Sequence, residues 1–182
     1  KGKLGVIGGM GPQAMLQFCQ RVIDRTRAAA DQEHLPMLIL NDTQMPDRTA
    51  AILSGDTGPV VERLLQDAKQ LEDWGAGCIA IPCNTSHAFV PWLQERIGIP
   101  IVNMIQETAG ALKDMGAKRV GILGTDGTLR ARLYHDALES REMEAISPPA
   151  EAQRLVMDII YQEIKKGERG SREKFAAVSR AL

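Results

Sequence analysis

Short apolar runs alternate with longer amphipathic segments along the chain. The runs lie at residues 4–7, 37–40, 78–81, 99–102, 120–123 and, more briefly, 144–146. Runs that are apolar throughout and are each followed by a helical pattern are typical of parallel strands covered on both faces of the sheet. The pattern therefore predicts an α/β fold with a parallel sheet.

The amphipathic segments carry apolar residues at mixed spacings of three and four, which indicates helices packed on one side. They lie at residues 13–30, 59–74, 86–97, 105–115 and 128–140, with two further segments at 150–166 and 171–182. Residues 42–58 follow the second predicted strand and are interpreted as a long loop.

A strand, a glycine turn and a helix start occur twice, 116 positions apart. Leu-Gly-Val-Ile-Gly-Gly-Met-Gly at 4–11 is echoed by Val-Gly-Ile-Leu-Gly-Thr-Asp-Gly at 120–127. Solenoid units are much shorter, so the echo predicts two similar α/β domains, at 1–104 and 105–182. A counterpart of the loop at 82–85 would fall beyond residue 182, so the second domain is expected to be truncated. The alternative is a chance similarity between two strand–turn–helix units.

Composition and charge narrow the possible partners. The 22 Lys and Arg residues balance 23 Asp and Glu residues, for a net charge of −1, which does not favour nucleic acid or an anionic membrane. The apolar runs are too short to span a bilayer, and the first residues hold no secretory segment. Three cysteines without zinc-type spacing predict reduced thiols, no metal site and a cytoplasmic protein.

Candidate binding segments follow the predicted strands, because ligands of open parallel sheets bind beyond the carboxyl ends of the strands. The first, Gly-Gly-Met-Gly-Pro at 8–12, offers backbone N–H groups to an anion, or is simply a tight turn that needs glycine. Gly9-x-Gly11-x-x-Ala14 also satisfies a loose dinucleotide fingerprint, which expects an acidic residue about 20 positions later. Asp42 lies at a strand end, but 31 positions past Gly11.

Two further segments carry side chains suited to an anionic ligand. Arg48, in the loop after the second strand, could bind a carboxylate through two parallel hydrogen bonds. Taken alone, it is interpreted as a solvated loop residue. In Gly-Thr-Asp-Gly-Thr at 124–128, Thr125 and Thr128 could donate hydrogen bonds to a ligand or cap a helix.

Cys83 is the strongest candidate for chemistry. It lies where a buried strand turns into a predicted helix start, a position that lowers the pKa of a thiol and favours thiolate. Asn84 and Thr85 add short polar donors suited to a substrate carboxylate. Cys19 and Cys78 fall inside a helix and a strand and are interpreted as small core residues.

His87 follows Cys83 by four residues, so the two side chains could approach each other on a helix. It could tune the thiol or act as its base. The plainer interpretation is a histidine on a helix surface or at a helix cap.

Together, and in this order, these segments resemble the aspartate/glutamate racemase family. The matching elements are Gly-Gly-Met-Gly-Pro at 8–12, Pro-Asp-Arg-Thr at 46–49, Pro-Cys-Asn-Thr-Ser-His at 82–87 and Gly-Thr-x-Gly-Thr at 124–128. Ile-Lys-Lys-Gly at 164–167 resembles a further family element. The resemblance covers essentially the whole chain. It implies two Rossmann-like (flavodoxin-like) domains in pseudo-symmetric arrangement, a homodimer, a small acidic amino acid as substrate, and neither pyridoxal phosphate nor metal.

The resemblance also implies roles for individual residues. Cys83 would be a catalytic thiol. The α-carboxylate side of the substrate would be held by Met10, Asn84, Thr85 and Thr125. Arg48 and Lys165 would recognise the distal carboxylate of aspartate or glutamate.

Racemisation without a cofactor needs two bases, because one must remove the α-proton from one face while the other delivers a proton to the opposite face. Cys83 matches the first thiol of the family. The second lies in a Gly-Cys-Thr-Glu run, which does not occur in these 182 residues. The sequence is therefore expected to be a fragment of a longer enzyme, or else a product that has lost its function.

Three alternatives stay open on the sequence. The first is a related enzyme of the same superfamily, such as a hydantoin racemase or a maleate cis–trans isomerase. The second is a nucleotide-binding α/β domain that uses the glycine turn. The third is a non-catalytic binding domain, which the missing second thiol would suit.

Overall fold

The computed structural model describes residues 2–182, which form two compact units. The first unit runs up to Asp47 and continues from Asp56 to Met104, and the second comprises Arg48–Gly55 and Ile105–Leu182. Residues 48–55 thus belong to the second unit, although the sequence predicts a first domain of residues 1–104.

A four-stranded parallel sheet forms the centre of the first unit. Its strands are β1 (Lys3–Gly8), β2 (Met37–Asn41), β3 (Ala76–Ala80) and β4 (Ile101–Val102), in the order β2-β1-β3-β4. Leu4 of β1 lies opposite Met37 of β2 on one side and opposite Cys78 of β3 on the other. The predicted parallel α/β sheet is confirmed.

The α-helices vary from one turn to more than four. In chain order they are α1 (Pro12–Arg25), α2 (Arg48–Ser54), α3 (Gly58–Asp73), α4 (Val90–Gln94), α5 (Met104–Asp114), α6 (Asp126–Arg130), α7 (Leu133–Glu139), α8 (Ala150–Asp158) and α9 (Arg172–Ala181). In addition, 3₁₀ segments lie at Asp31–Glu33, Thr85–Phe89 and Ile164–Lys166, and one π turn lies at Ile159–Glu163.

Apolar stripes explain why α1 and α3 cover the sheet of the first unit. Val60, Leu64 and Leu71 recur on one face of α3 and are completely buried. On α1, Met15 and Cys19 lie one turn apart and pack in one cluster with Leu4, Val6 and Ala80. Both helices carry proline in the first turn, where its missing N–H costs no hydrogen bond.

Several predicted helix boundaries are wrong. The segment 86–97 forms as the 3₁₀ turn Thr85–Phe89 followed by α4, because Pro91 can donate no amide to a preceding carbonyl and so suits only a first turn. The segment 128–140 is divided into α6 and α7 at Arg132, whose φ of 51° is left-handed. The segment 42–58 is not a continuous loop, since α2 lies within it.

The second unit contains a two-stranded parallel sheet of β5 (Arg119–Gly121) and β6 (Glu144–Ile146), with Val120 opposite Ala145. A separate apolar cluster joins α8 to α9 through Ala152, Val156 and Val178. In both units the strand that precedes the glycine turn pairs in parallel with the next strand of the chain. Within residues 2–182, no helix is both long and apolar enough to cross a membrane.

Candidate active site

The carboxyl ends of four parallel strands meet at one edge of the first unit's sheet. Gly9 and Met10 follow β1, Asp42 follows β2, Cys83 lies three residues after the end of β3, and Asn103 follows β4. The strand order places β3 between β1 and β4, so the segment that carries Cys83 lies between the ends of two neighbouring strands.

The glycine turn after β1 is fixed by packing. Gly9 has a φ of 92°, and a Cβ there would overlap the backbone of Asp42, while one at Gly8 would overlap the side chain of Met15. Tight packing therefore explains these two glycines. The side chain of the next residue, Met10, is buried, and its sulfur accepts a hydrogen bond from the hydroxyl of Ser86 at 3.3 Å.

Asp42 is held by Arg63 of α3. The guanidinium donates from Nη2 to Oδ1 at 2.9 Å and from Nε to Oδ2, and the Gln44 N–H donates to Oδ1 at 3.1 Å. These hydrogen bonds, led by that of Arg63, lower the pKa of Asp42. The carboxylate is buried and already bound on both oxygens, which argues against its use for a ribose hydroxyl and so against the nucleotide-binding alternative.

Asp67 lies one helical turn after Arg63 and is also buried. Burial, followed by the negative charge of Asp42, raises the pKa of Asp67 to about 6, and Arg63 opposes the rise. The pKa values of the two carboxyl groups are therefore shifted in opposite directions. Asp42 is ionised near neutrality, whereas Asp67 is close to its titration range.

Cys83 is 9% exposed, and its N–H donates to the carbonyl of Ile81 at 2.7 Å. The next residues form a five-residue 3₁₀ turn that begins at Thr85, with Asn84 at its N-cap position. The prediction of a regular helix start beside the thiol is therefore wrong, and so short a turn aligns few peptide dipoles. Cys19 and Cys78 pack in the hydrophobic cluster of α1 and the sheet, which confirms their interpretation as core residues.

His87 is buried, so the interpretation as a surface histidine is wrong. Its Nδ1 lies 2.9 Å from the Cys83 carbonyl oxygen, and the Met104 N–H donates to its Nε2 at 3.2 Å. Burial lowers the pKa of His87. Both ring nitrogens contact main-chain atoms, at the ends of β3 and β4.

The remaining predicted residues lie in the second unit. Arg48 is the first residue of α2 and is 7% exposed, so it is not a solvated loop residue. Thr125 caps α6, because its hydroxyl oxygen accepts the Thr128 N–H at 3.2 Å. Lys165 is exposed, with its Nζ 3.9 Å from the centre of the Tyr161 ring.

The predicted site residues therefore divide into two groups. Met10, Cys83, Asn84 and Thr85 lie at one sheet edge of the first unit, and Arg48, Thr125 and Lys165 belong to the second unit. In the part of the chain that the structure describes, no cluster of three His, Cys, Asp or Glu side chains is arranged to hold a metal ion.

The sequence reasoning missed the supporting contacts of Ser86 and Arg63. Ser86 lies inside a recognised motif, but its partner Met10 is 76 positions away. Arg63 and Asp42 are 21 positions apart. No local spacing connects such residues, and only their positions on adjacent strands and helices bring them together.

Comparison with known proteins identifies a family and several solved structures that this chain resembles. The family model described as Asp/Glu/Hydantoin racemase matches residues 7–182. The structure of the aspartate racemase of Picrophilus torridus is 32% identical, with a TM-score of 0.83 over 98% of this chain and 75% of that chain. An aspartate racemase homologue from Pyrococcus horikoshii is 26% identical, with a TM-score of 0.71 over 92% of this chain and 74% of that one.

Curated relatives extend the same similarity. The broad specificity amino-acid racemase RacX of Bacillus subtilis is 28% identical over 79% of this chain and 63% of its own length. The glutamate racemase of Oceanobacillus iheyensis is 31% identical over 57% of this chain and 37% of its own length. The chain thus spans less than two thirds of these curated relatives.

Proposed function

This chain belongs to the Asp/Glu/hydantoin racemase family, and on that premise we propose that it serves the racemisation of aspartate, glutamate or both. The reaction would use no pyridoxal phosphate and would employ Cys83 as one of two thiols. A homodimer in the cytoplasm is proposed on the family resemblance alone.

The placement of Cys83 carries the proposal. The residue follows an inner strand of the parallel sheet and is succeeded directly by Asn84 and Thr85, at the edge where ligands of such sheets bind. A small buried thiol beside polar donors suits proton transfer at an α-carbon whose carboxylate those donors hold. The other two cysteines pack in the core, so neither offers an alternative.

The proposed step is a proton transfer with no net redox change. The Cys83 thiolate takes the α-proton, the C–H electron pair stays on the substrate as a carbanion delocalised into the carboxylate, and an S–H bond forms. A second thiol on the opposite face then delivers its proton to the α-carbon and becomes the thiolate. In the reverse direction Cys83 acts as the acid.

Substrate recognition is proposed in two parts. Neutral donors at Asn84 and Thr85, the Met10 turn and Thr125 would bind the α-carboxylate. Arg48 and Lys165 would bind the distal carboxylate, for which a guanidinium offers two parallel hydrogen bonds.

Exchange of the α-proton in heavy water tests the role of Cys83. A single thiol can remove a proton, exchange it with solvent and return deuterium to the same face. We therefore expect this 182-residue chain to exchange the α-proton of one enantiomer of aspartate or glutamate without inverting it. Inversion is expected only from a form that adds a second thiol. Alanine, which lacks the distal carboxylate, should exchange at least about tenfold more slowly.

The matched variants are Cys83→Ala and Cys78→Ala. Cys83→Ala should slow exchange by about 10²- to 10⁴-fold, the usual contribution of a positioned acid–base group. Cys78→Ala, at a half-buried cysteine within β3, should exchange like the parent chain. Unchanged exchange in Cys83→Ala, measured by proton NMR of the substrate, would reject the assignment.

A further inference from the structure

Two consecutive residues attach the segment 82–87, which carries Cys83, to the strands on either side of it. Ser86 donates to the sulfur of Met10, which follows β1, and His87 contacts the Met104 amide, which follows β4. Both side chains are buried, with exposures of 0% and 3%. Because β3 lies between β1 and β4, the segment is held from both sides.

Two hydrogen bonds of His87 favour one tautomer. A backbone N–H can only donate, so the Nε2 that receives it from Met104 at 3.2 Å carries no proton. The Cys83 carbonyl oxygen can only accept, so the Nδ1 that lies 2.9 Å from it must donate. A neutral ring protonated on Nδ1 satisfies both contacts, whereas an imidazolium would turn two donors towards each other at Met104.

The surroundings of His87 favour the neutral ring. Burial lowers its pKa, and the nearby main-chain carbonyls of Cys83, Val102 and Asn84 oppose this effect only in part. In the part of the chain that the structure describes, the hydrogen-bond partners of this ring are all main-chain groups. None of these main-chain partners is a carboxylate, so none of them carries the negative charge that would stabilise an imidazolium.

A neutral histidine suits a thiol that must work in both directions. In a two-base racemase the same cysteine accepts a proton in one direction and donates it in the other. An imidazolium in contact with the sulfur would hold the thiolate and make Cys83 a poor acid. A ring whose nitrogens both contact the main chain can fix the cysteine without biasing its charge.

We propose that His87 is a positioning residue for Cys83, which as a neutral ring protonated on Nδ1 fastens the Cys83 carbonyl to the Met104 amide and takes no part in proton transfer. The catalytic consequence rests on the proposed function. The tautomer and its hydrogen bonds do not, and can be measured on the chain alone.

The first test reads the tautomer in the parent chain and uses a variant only to assign the signals. Two-bond ¹⁵N–¹H correlation spectra of ¹⁵N-histidine-labelled protein at pH 7 distinguish the two neutral tautomers from the cation. His87, assigned through the loss of its signals in His87→Asn, is expected to show a protonated Nδ1 and an unprotonated Nε2. A cationic ring, or a proton on Nε2, would overturn the proposal.

The second test separates positioning from acid–base partnership through the reactivity of Cys83. Its alkylation rate by iodoacetamide, followed by mass spectrometry of the Cys83 peptide, is measured against pH in His87→Asn and His87→Leu. The midpoint should move by less than about half a pH unit, because no imidazolium is lost. A rise of more than about one pH unit would identify an imidazolium–thiolate pair and contradict the proposal.

Exchange of the α-proton supplies the third measurement. His87→Asn keeps an amide N–H close to the position of Nδ1 and should lose less than about tenfold, while His87→Leu, which has no donor, should lose about a hundredfold. His34→Gln, at a half-buried histidine after Asp31–Glu33, is the control and should exchange normally. Equal losses in His87→Asn and His87→Leu would reject the donor role. Unchanged exchange in Cys83→Ala would reject the proposed function instead, and would leave the tautomer result standing.

Discussion

The carboxyl group of Asp67 on α3 is buried beside Asp42 and Arg63. Its folded-state pKa of about 6 lies above the ordinary value of 3.8, so the folded protein binds this proton more tightly than the unfolded chain does. The stabilisation from protonation is complete below about pH 4 and is lost as the pH rises through 6. Above that range an ionised Asp67 lowers the free energy of unfolding.

Asp67→Asn removes this ionisation at nearly constant volume. We expect its effect on the free energy of unfolding to be about 2 kcal/mol more favourable at pH 7.5 than at pH 4.5. Urea titrations at the two pH values measure the difference. Asp73→Asn, at an exposed position near the end of the same helix, is the control and should show no comparable pH dependence. An Asp67→Asn effect of equal size at both pH values would contradict the raised pKa.

At the scale of single elements, the turn after β1 depends on Gly9. Its left-handed φ of 92° and the overlap of any Cβ with the Asp42 backbone leave no room for a side chain. Gly9→Ala is expected to lower the free energy of unfolding by more than about 2 kcal/mol, through backbone strain and overpacking together. Gly11→Ala, where a Cβ would meet no atom within 4 Å, should cost less than about 1 kcal/mol. Similar urea midpoints for the two variants would show that the turn relaxes to accept a side chain.

The sequence predicts whole elements better than their ends and side-chain contacts. Every predicted strand exists, because a short apolar run has few other ways to become buried in an α/β protein. The seven-residue helix α2 was missed, since two turns are too short for a helical period to stand out.

Helix interruptions and long-range contacts are the other misses. The 3₁₀ turn at Thr85–Phe89 depends on how the chain leaves β3, and the pattern of 86–97 alone still suggests one helix. Motif order located Cys83 correctly at a strand end. The contacts of Ser86 with Met10 and of His87 with Met104, however, need the strand order β1-β3-β4. That order is a property of the assembled sheet, so no local window of sequence contains it.

At the scale of the whole molecule, the two units differ in how their sheets are built. In the first unit β1 pairs with a strand on each side, and Val6 and Ile7 within it are completely buried. In the second unit β5 pairs with β6 in a two-stranded sheet, and Arg119 and Gly121 of β5 are exposed. Amide protection depends on the free energy needed to open a hydrogen-bonded unit. This free energy rises with the number of strands that pair with a given strand and with their burial.

Native-state hydrogen exchange should therefore separate the two sheets. We expect the amides of β1 and β3 to exchange only through global unfolding and to be the slowest in the chain. Those of β5 and β6 should exchange at least about tenfold faster, through local opening of a sheet with one ladder of hydrogen bonds. Mass spectrometry of peptic peptides that cover the four strands measures this directly. Equal protection of the two sheets would show that the second unit opens only together with the first.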